Sequence, residues 1–215
     1  MKTQKEFFFE LLEKICNRLI ESEKLLTELD SAIGDGDCGI GIKSGFQEVL
    51  FKLCEWKEKS IGDILKQTGL TLSSTIGGTS GAIFGTGFMR IGGSLSNKVN
   101  ITFSDIQVGL DAALDGMKMR GEGTQVGDKT LIDALEPAVR EFGKALSEGK
   151  SAENIVNMAL SAARTGSDST INLIAKRGRA SYLGERSIGH RDAGSMVICL
   201  IIEAVYEYLY GLWCK

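Results

Sequence analysis

Residues 8–39 read FFELLEKICNRLIESEKLLTELDSAIGDGDCG. Phe8, Leu11, Leu12, Ile15, Leu19, Leu26 and Leu29 recur at three- and four-residue intervals, which lines one face of an α-helix. The spacing predicts one long first helix that stops where the aspartates begin. Outward from it the same period returns in Ile42, Phe46, Val49, Leu50 and Leu53, in Ile61 to Leu72, and in Ile106 to Met117. It returns again in Leu131 to Phe142, Ile155 to Ala163 and Val197 to Leu212. With the small-residue stretch Thr79 to Ser94 counted as one more, the pattern predicts about eight helices joined by short polar loops. No period-2 strand run interrupts it, so the expected class is all-α. Pro137 falls inside a predicted helix and should bend or interrupt it near Asp133. Residues 94–104 and 143–151 read as ordinary loops rather than linkers, which makes 1–215 a single helical domain.

Composition narrows the function classes. A formal charge of −3 over 215 residues offers no basic face for phosphodiesters, so no nucleic-acid partner is expected. Five cysteines, none spaced C-x-x-C, suggest neither a disulfide framework nor a zinc site and fit a reducing cytoplasm. The first six residues run straight into a helical pattern without a leader-cleavage signal. The longest apolar run, Met196 to Ile202, is closed by Glu203 and falls short of the ~20 residues a bilayer needs, so no membrane span is expected. The pairing of 27 glycines with one proline is unusual, and the glycines concentrate between helices, where helix N-termini offer free N–H groups to anions.

Asp30, Asp35 and Asp37 lie within eight residues of a turn bracketed by Gly34, Gly36 and Gly39. Carboxylates that close repel one another unless neutralised, and hard oxygen ligands on a short turn suit Mg²⁺ completed by phosphate. An EF-hand loop from Asp35 is excluded, because Ile40 and Phe46 stand where Gly and Glu are required. Gly41-Ile42-Lys43-Ser44 and Gly127-Asp128-Lys129-Thr130 each carry one residue too many for a Walker A loop. Thr75 to Gly87 combines glycines with Thr79 and Ser80 at a helix start, which suits either phosphate oxygens or close helix packing. Asp128 reads as a helix cap. Lys176 to Gly194 holds five basic side chains beside four glycines and no apolar stripe, so it reads as a lid or wall with an arginine to meet phosphoryl charge. His190, the single histidine, reads as a structural residue.

Taken together, Leu29-Asp30 through Gly34-Asp35-Gly36-Asp37-Cys38-Gly39, Gly77-Gly78-Thr79-Ser80-Gly81, Gly127-Asp128-Lys129-Thr130 and Gly178 to His190 resemble the nucleotide-binding L subunit of dihydroxyacetone kinase, the DhaL family. The resemblance spans nearly the whole chain in the same order. It implies a barrel of eight antiparallel helices, closed at one end, with ADP or ATP and two Mg²⁺ held in the loops at the other. It also implies that Asp30, Asp35 and Asp37 hold the metal. Cys38, Gly39, Ile40, Gly41, Thr79, Ser80, Gly121 and Leu131 are then the nucleotide contacts, closed over by Arg179 and the Asp192-Ala193-Gly194 turn. Arg179 becomes the catalytic residue. The implied partner is a K-type subunit that carries the ketose, with a phosphotransferase-system protein as the other candidate partner. Cys38 resembles the ATP-dependent fused form and the stand-alone length resembles the form recharged in place, so the donor stays open between them. Another acceptor, a four-carbon ketose or a fatty acid, and an ADP-loaded regulatory subunit remain the alternative functions.

Overall fold

The computed structural model describes residues 2–96 and 98–213; Cys214, one of the five cysteines, lies outside them. Among the described residues the chain forms nine α-helices and no strand. They are α1 Gln4–Glu21, α2 Glu23–Ile33, α3 Cys38–Leu53, α4 Ile61–Thr75, α5 Gly78–Ser94, α6 Phe103–Arg120, α7 Ile132–Ser147, α8 Ala152–Ser169 and α9 Ala193–Trp213. Single 3-10 turns cover Cys54–Trp56 and Thr170–Asn172, and a longer irregular 3-10 stretch covers Arg179–Ser187. The expected single first helix is two. Its apolar stripe is continuous, but at Ser22 (φ −88°, ψ 6°) the chain leaves helical geometry while the hydroxyl donates back to the Arg18 carbonyl at 2.7 Å. That break accounts for the difference between eight apolar stripes and nine helices.

Consecutive helices pack side by side, and α9 returns to α1, which closes the ring; α2 sits against α3 and α9. Glycines record the antiparallel sense. A Cβ on Gly62 or Gly92 would lie 2.8 or 2.5 Å from the other's carbonyl oxygen, and Gly69 and Gly85 approach each other at 2.5 Å, so α4 and α5 run in opposite directions nearly backbone to backbone. Lys118 with Glu136 ties α6 to α7, and Arg164 with Glu203 ties α8 to α9, in the same sense. The inward stripes meet in one apolar core, including Leu12, Leu19, Phe46, Leu72, Val139 and Val197. Burial of each such side chain is worth about 1.5–3 kcal/mol. An apolar space of about 260 Å³ remains inside the barrel.

Pro137 does not interrupt its helix. It lies in the second turn of α7, where its missing N–H leaves the Asp133 carbonyl without an intrahelical donor while the helix continues to Ser147. By length and composition alone, Ala193–Leu212 of α9, with a mean hydropathy of 1.5, is long and apolar enough to span a membrane. Its packing tells more. Val197, Ile198, Leu200 and Ala204 enter the core, and Glu203, Glu207 and Tyr208 are bound to Arg164, Arg18 and Glu10, so α9 serves as a barrel stave.

Candidate functional site

In an up-and-down ring every other connection lies at the same end. The connections 34–37, 76–77, 121–131 and 170–192 are alternate ones, so the glycine-rich and acidic segments, separate in sequence, meet there. Together they enclose a cavity of about 440 Å³. Its wall includes Asp30, Asp35, Asp37, Cys38, Thr79, Ser80, Gly121, Leu131, Arg179, Asp192, Ala193 and Gly194. Gly39, Ile40 and Gly41 do not reach it. Gly39 faces the α2 backbone, where a Cβ would meet the Glu23 carbonyl at 2.2 Å, and Ile40 is exposed on the outside. The alternative reading of Thr75 to Gly87 also holds for its later part: Gly81 packs on the Ile76 carbonyl and Gly85 on α4, while Gly77 to Ser80 face the cavity.

The two ends differ in how their helices begin. Away from the cavity α1, α4, α6 and α8 start at Thr3, Ser60, Thr102 and Ser151, and each side chain accepts a backbone N–H of the first turn. At the cavity α3, α5 and α7 start at Asp37, Gly77 and Leu131 without a cap from the N-cap side chain itself, but Asp30 accepts the Cys38 N–H of α3 and the Thr130 hydroxyl accepts the Ile132 N–H of α7 at 3.2 Å. Of the four helices that begin there, α9 has such a cap, from the Ser195 N–H to Asp192 Oδ2 at 2.6 Å. An uncapped helix start leaves N–H donors and a partial positive charge of roughly half a unit facing outward. The open start of α5, with the positive ends of α3, α7 and α9 beside it, makes an anion site.

Opposite this positive field stands the acidic trio. One oxygen from each of Asp30, Asp35 and Asp37 lies within 4.8 Å of the others. Asp30 is fixed by accepting the Cys38 N–H at 3.3 Å, and Gly34 is required beside it, since a Cβ there would sit 2.4 Å from Asp30 Oδ1. Gly36 adopts φ +75°, which turns the chain between Asp35 and Asp37. Burial, with repulsion from Asp35 and Asp30, raises the Asp37 carboxyl above the usual range. Like charges at this separation repel by about 1 kcal/mol per pair even in water. Three hard oxygens in mutual repulsion fit a divalent cation such as Mg²⁺. Arg179 lies on the same cluster, its guanidinium 2.9 Å from Asp35 Oδ2. Burial, reinforced by nearby carboxylates, pushes the Cys38 thiol up to about 12.

Two roles differ from the sequence reading. Asp128 does not cap α7; its carboxylate accepts the Gln125 N–H and binds Lys176 and Arg177, which ties the 121–131 loop to the basic segment. The α7 entry is held instead by Asp133, fully buried, whose oxygens accept the Gly127 and Thr130 N–H groups at 2.6 and 2.7 Å. His190 has an exposed side chain and contributes its backbone carbonyl, which accepts from Lys129. Lys129 and Thr124 also line the cavity; Lys129 belongs to the Gly127-Asp128-Lys129-Thr130 segment quoted above, but the sequence reading gives neither residue a site role. Asp192 is half-buried near Lys129; desolvation raises its carboxyl to about 7, with Asp133 and Asp30 adding to the effect and the Ser195 N–H and Lys129 opposing it.

The DAK2 domain model matches residues 32–207, which covers all four cavity loops but for Asp30. The chain belongs to the DAK2 domain family. Among curated DAK2 relatives, the "PEP-dependent dihydroxyacetone kinase, ADP-binding subunit DhaL" of Escherichia coli K12 is 38% identical over 87% of this chain and 90% of its own length. The corresponding subunit of dihydroxyacetone kinase 1 from Listeria innocua is 34% identical over 96% of this chain and 98% of its own. The native dihydroxyacetone kinase of C. freundii superposes with a TM-score of 0.73 at 26% identity, over 93% of this chain and 34% of that longer one. The same enzyme with AMP-PNP and Mg²⁺ shares the fold, with a TM-score of 0.72.

Proposed function

We propose that this DAK2 chain is the ADP-binding L-type subunit of a two-component dihydroxyacetone kinase, which transfers a phosphoryl group to a ketose held by a separate K-type subunit. The observation that carries the reading is the cavity in which the open start of α5 and the positive ends of α3, α7 and α9 face three clustered aspartates. A metal-bound polyphosphate uses both at once. The stand-alone DhaL subunits named above match this chain nearly end to end, which favours the two-component form.

Asp30, Asp35 and Asp37 would hold Mg²⁺, two ions by the family resemblance, which supplies neutralisation of phosphate charge when bound. The N–H groups at the start of α5, with the Thr79 and Ser80 hydroxyls, take phosphate oxygens. Leu131, Ile83 and Met117 give the nucleobase an apolar wall. Arg179, in reach of the same cluster, meets the charge that develops as the phosphoryl group leaves. The Asp192-Ala193-Gly194 turn closes the site. We assign the chain to the cytoplasm as one nucleotide-binding domain, with ADP retained and rephosphorylated in place by a phosphotransferase-system protein, in line with the relatives described as PEP- or PTS-dependent.

Calorimetric titration with MgADP tests the site. Wild-type protein should bind only with Mg²⁺ present, and Asp35→Ala and Asp37→Ala should each lose most of the affinity while keeping the helical circular dichroism. Undiminished binding by both variants removes the metal site. ADP should survive gel filtration with the wild type, and ATP alone should not support turnover with a K-type subunit and dihydroxyacetone.

A further inference from the structure

Among the described residues Lys129 is the one lysine that is almost completely buried, at 2% exposed. Its backbone takes φ +61°, a left-handed conformation that side chains other than glycine rarely adopt. A charged residue held in a strained conformation and removed from water needs strong compensation. It finds this in two backbone carbonyls: the ammonium donates to Thr170 O and to His190 O. These are the two feet of the 170–192 connection. Thr170 ends α8, and His190 stands two residues before Asp192, which caps α9.

The surrounding bonds brace the same feet. The Thr170 hydroxyl accepts the Asp192 N–H at 3.0 Å, and the Gly189 N–H donates to Ile171 O at 2.8 Å. Asp128, the preceding residue, holds the middle of the connection by accepting the Lys176 N–H on its carbonyl at 3.1 Å and the Lys176 ammonium on its carboxylate at 3.1 Å. Burial lowers the Lys129 pKa, while Asp192 and Asp133 work to keep it charged. The connection pinned in this way carries Arg179 and delivers Asp192, Ala193 and Gly194 to the cavity wall.

We propose that Lys129 is a positioning residue: its ammonium clasps the 121–131 loop to both feet of the 170–192 connection and so sets the α9 N-terminus and the Arg179 segment around the nucleotide. The proposal rests on the nucleotide reading above. Of the three ammonium N–H groups two are committed to protein carbonyls, so the residue acts through the chain it holds. A phosphate-binding lysine of the P-loop kind behaves differently, because its loss weakens the ligand without loosening the empty protein.

Hydrogen exchange on nucleotide-free protein separates the two. Wild-type amides of residues 188–195 should already be protected before nucleotide is added; exchange at unstructured rates there overturns the clasp without recourse to any variant. In Lys129→Met those amides should exchange about 10-fold faster or more, with α3 and α4 unchanged. MgADP affinity should fall by roughly 10–100-fold, the usual loss when a group that orients ligand-holding residues is removed. Lys129→Arg, which keeps a cation and its donors, should recover part of both. Lower MgADP affinity with unchanged exchange makes Lys129 a direct ligand and refutes the proposal, as does unchanged affinity with unchanged exchange. Wild-type protein that is protected at 188–195 but does not bind MgADP refutes the nucleotide reading and leaves the clasp standing.

Discussion

Replacing Gly166 by alanine places a methyl carbon 1.9 Å from the carbonyl oxygen of Asp133, 2.9 Å from its carbonyl carbon and 3.2 Å from the Ala134 Cα. All three are backbone atoms of the first turn of α7, so no rotamer change relieves the clash. This carbonyl is the one to which Pro137 supplies no donor, and α8 comes closest to α7 there. Ordinary van der Waals contact begins near 3.4 Å, so α8 must retreat from α7 by about 1.5 Å along an interface that buries Ile155, Ala159 and Ala163. Overpacking costs about 1–3 kcal/mol, and a rigid obstacle puts this site at the upper end. Alanine returns ~1 kcal/mol of helix propensity over glycine, which leaves a net loss of about 2 kcal/mol. For a chain of this size that lowers Tm by about 4–8 °C. Gly93→Ala in α5 is the control: nothing lies within 4 Å of its Cβ position, so it should be neutral or stabilising by up to ~1 kcal/mol. Because Asp133 also anchors Gly127 and Thr130, the Gly166→Ala protein should bind MgADP more weakly as well. Thermal and urea unfolding of the two variants decide the matter. If Gly166→Ala unfolds with the wild type, the backbone-to-backbone contact between α7 and α8 is not what holds this end of the barrel.

Arg179→Ala should lower kcat by ~10³-fold or more in the reconstituted two-subunit reaction while nucleotide affinity stays nearly normal, since a group that meets transition-state charge acts on the chemical step. Lost affinity with retained rate at saturation makes it a ground-state ligand. Glu136 is buried between α6 and α7; burial opposes its charge, but hydrogen bonds and attraction from Lys118 and Arg140 outweigh this and hold the carboxyl below the usual range. A depressed pKa gives stability that is complete above the unfolded value of about 4.5 and is lost as pH falls through the folded one. The urea midpoint of the wild type should therefore drop below pH 4.5 more steeply than that of Glu136→Gln. Parallel acid limbs assign the ion pair no part in acid stability.

The helices were legible in the sequence because an apolar stripe of period 3.6 requires a face to bury, and Leu12, Phe46, Leu72 and Val197 all reached the core that this spacing demands. The acidic trio was legible for a related reason: Asp30, Asp35 and Asp37 are local, and glycines between them allow a turn that gathers their oxygens whatever the rest of the chain does. Ser22 was not legible as a break, since a stripe continues across a kink that one hydroxyl helps to set. Nor was the exclusion of Gly39, Ile40 and Gly41 from the cavity, because being next to Cys38 in sequence fixes neither which side of α3 faces inward nor how closely α2 covers it. Closure of the ring alone brought the starts of α3, α5, α7 and α9 to one end, and it decided that Asp128 binds Lys176 and that Lys129 reaches Thr170 and His190, 41 and 61 residues away. Periodicity and turn chemistry act over a few residues, and so they determined the helices and the acidic turn. The anion field and the clasp that orients it depend on which helix ends meet, and that is settled only when the last helix packs against the first.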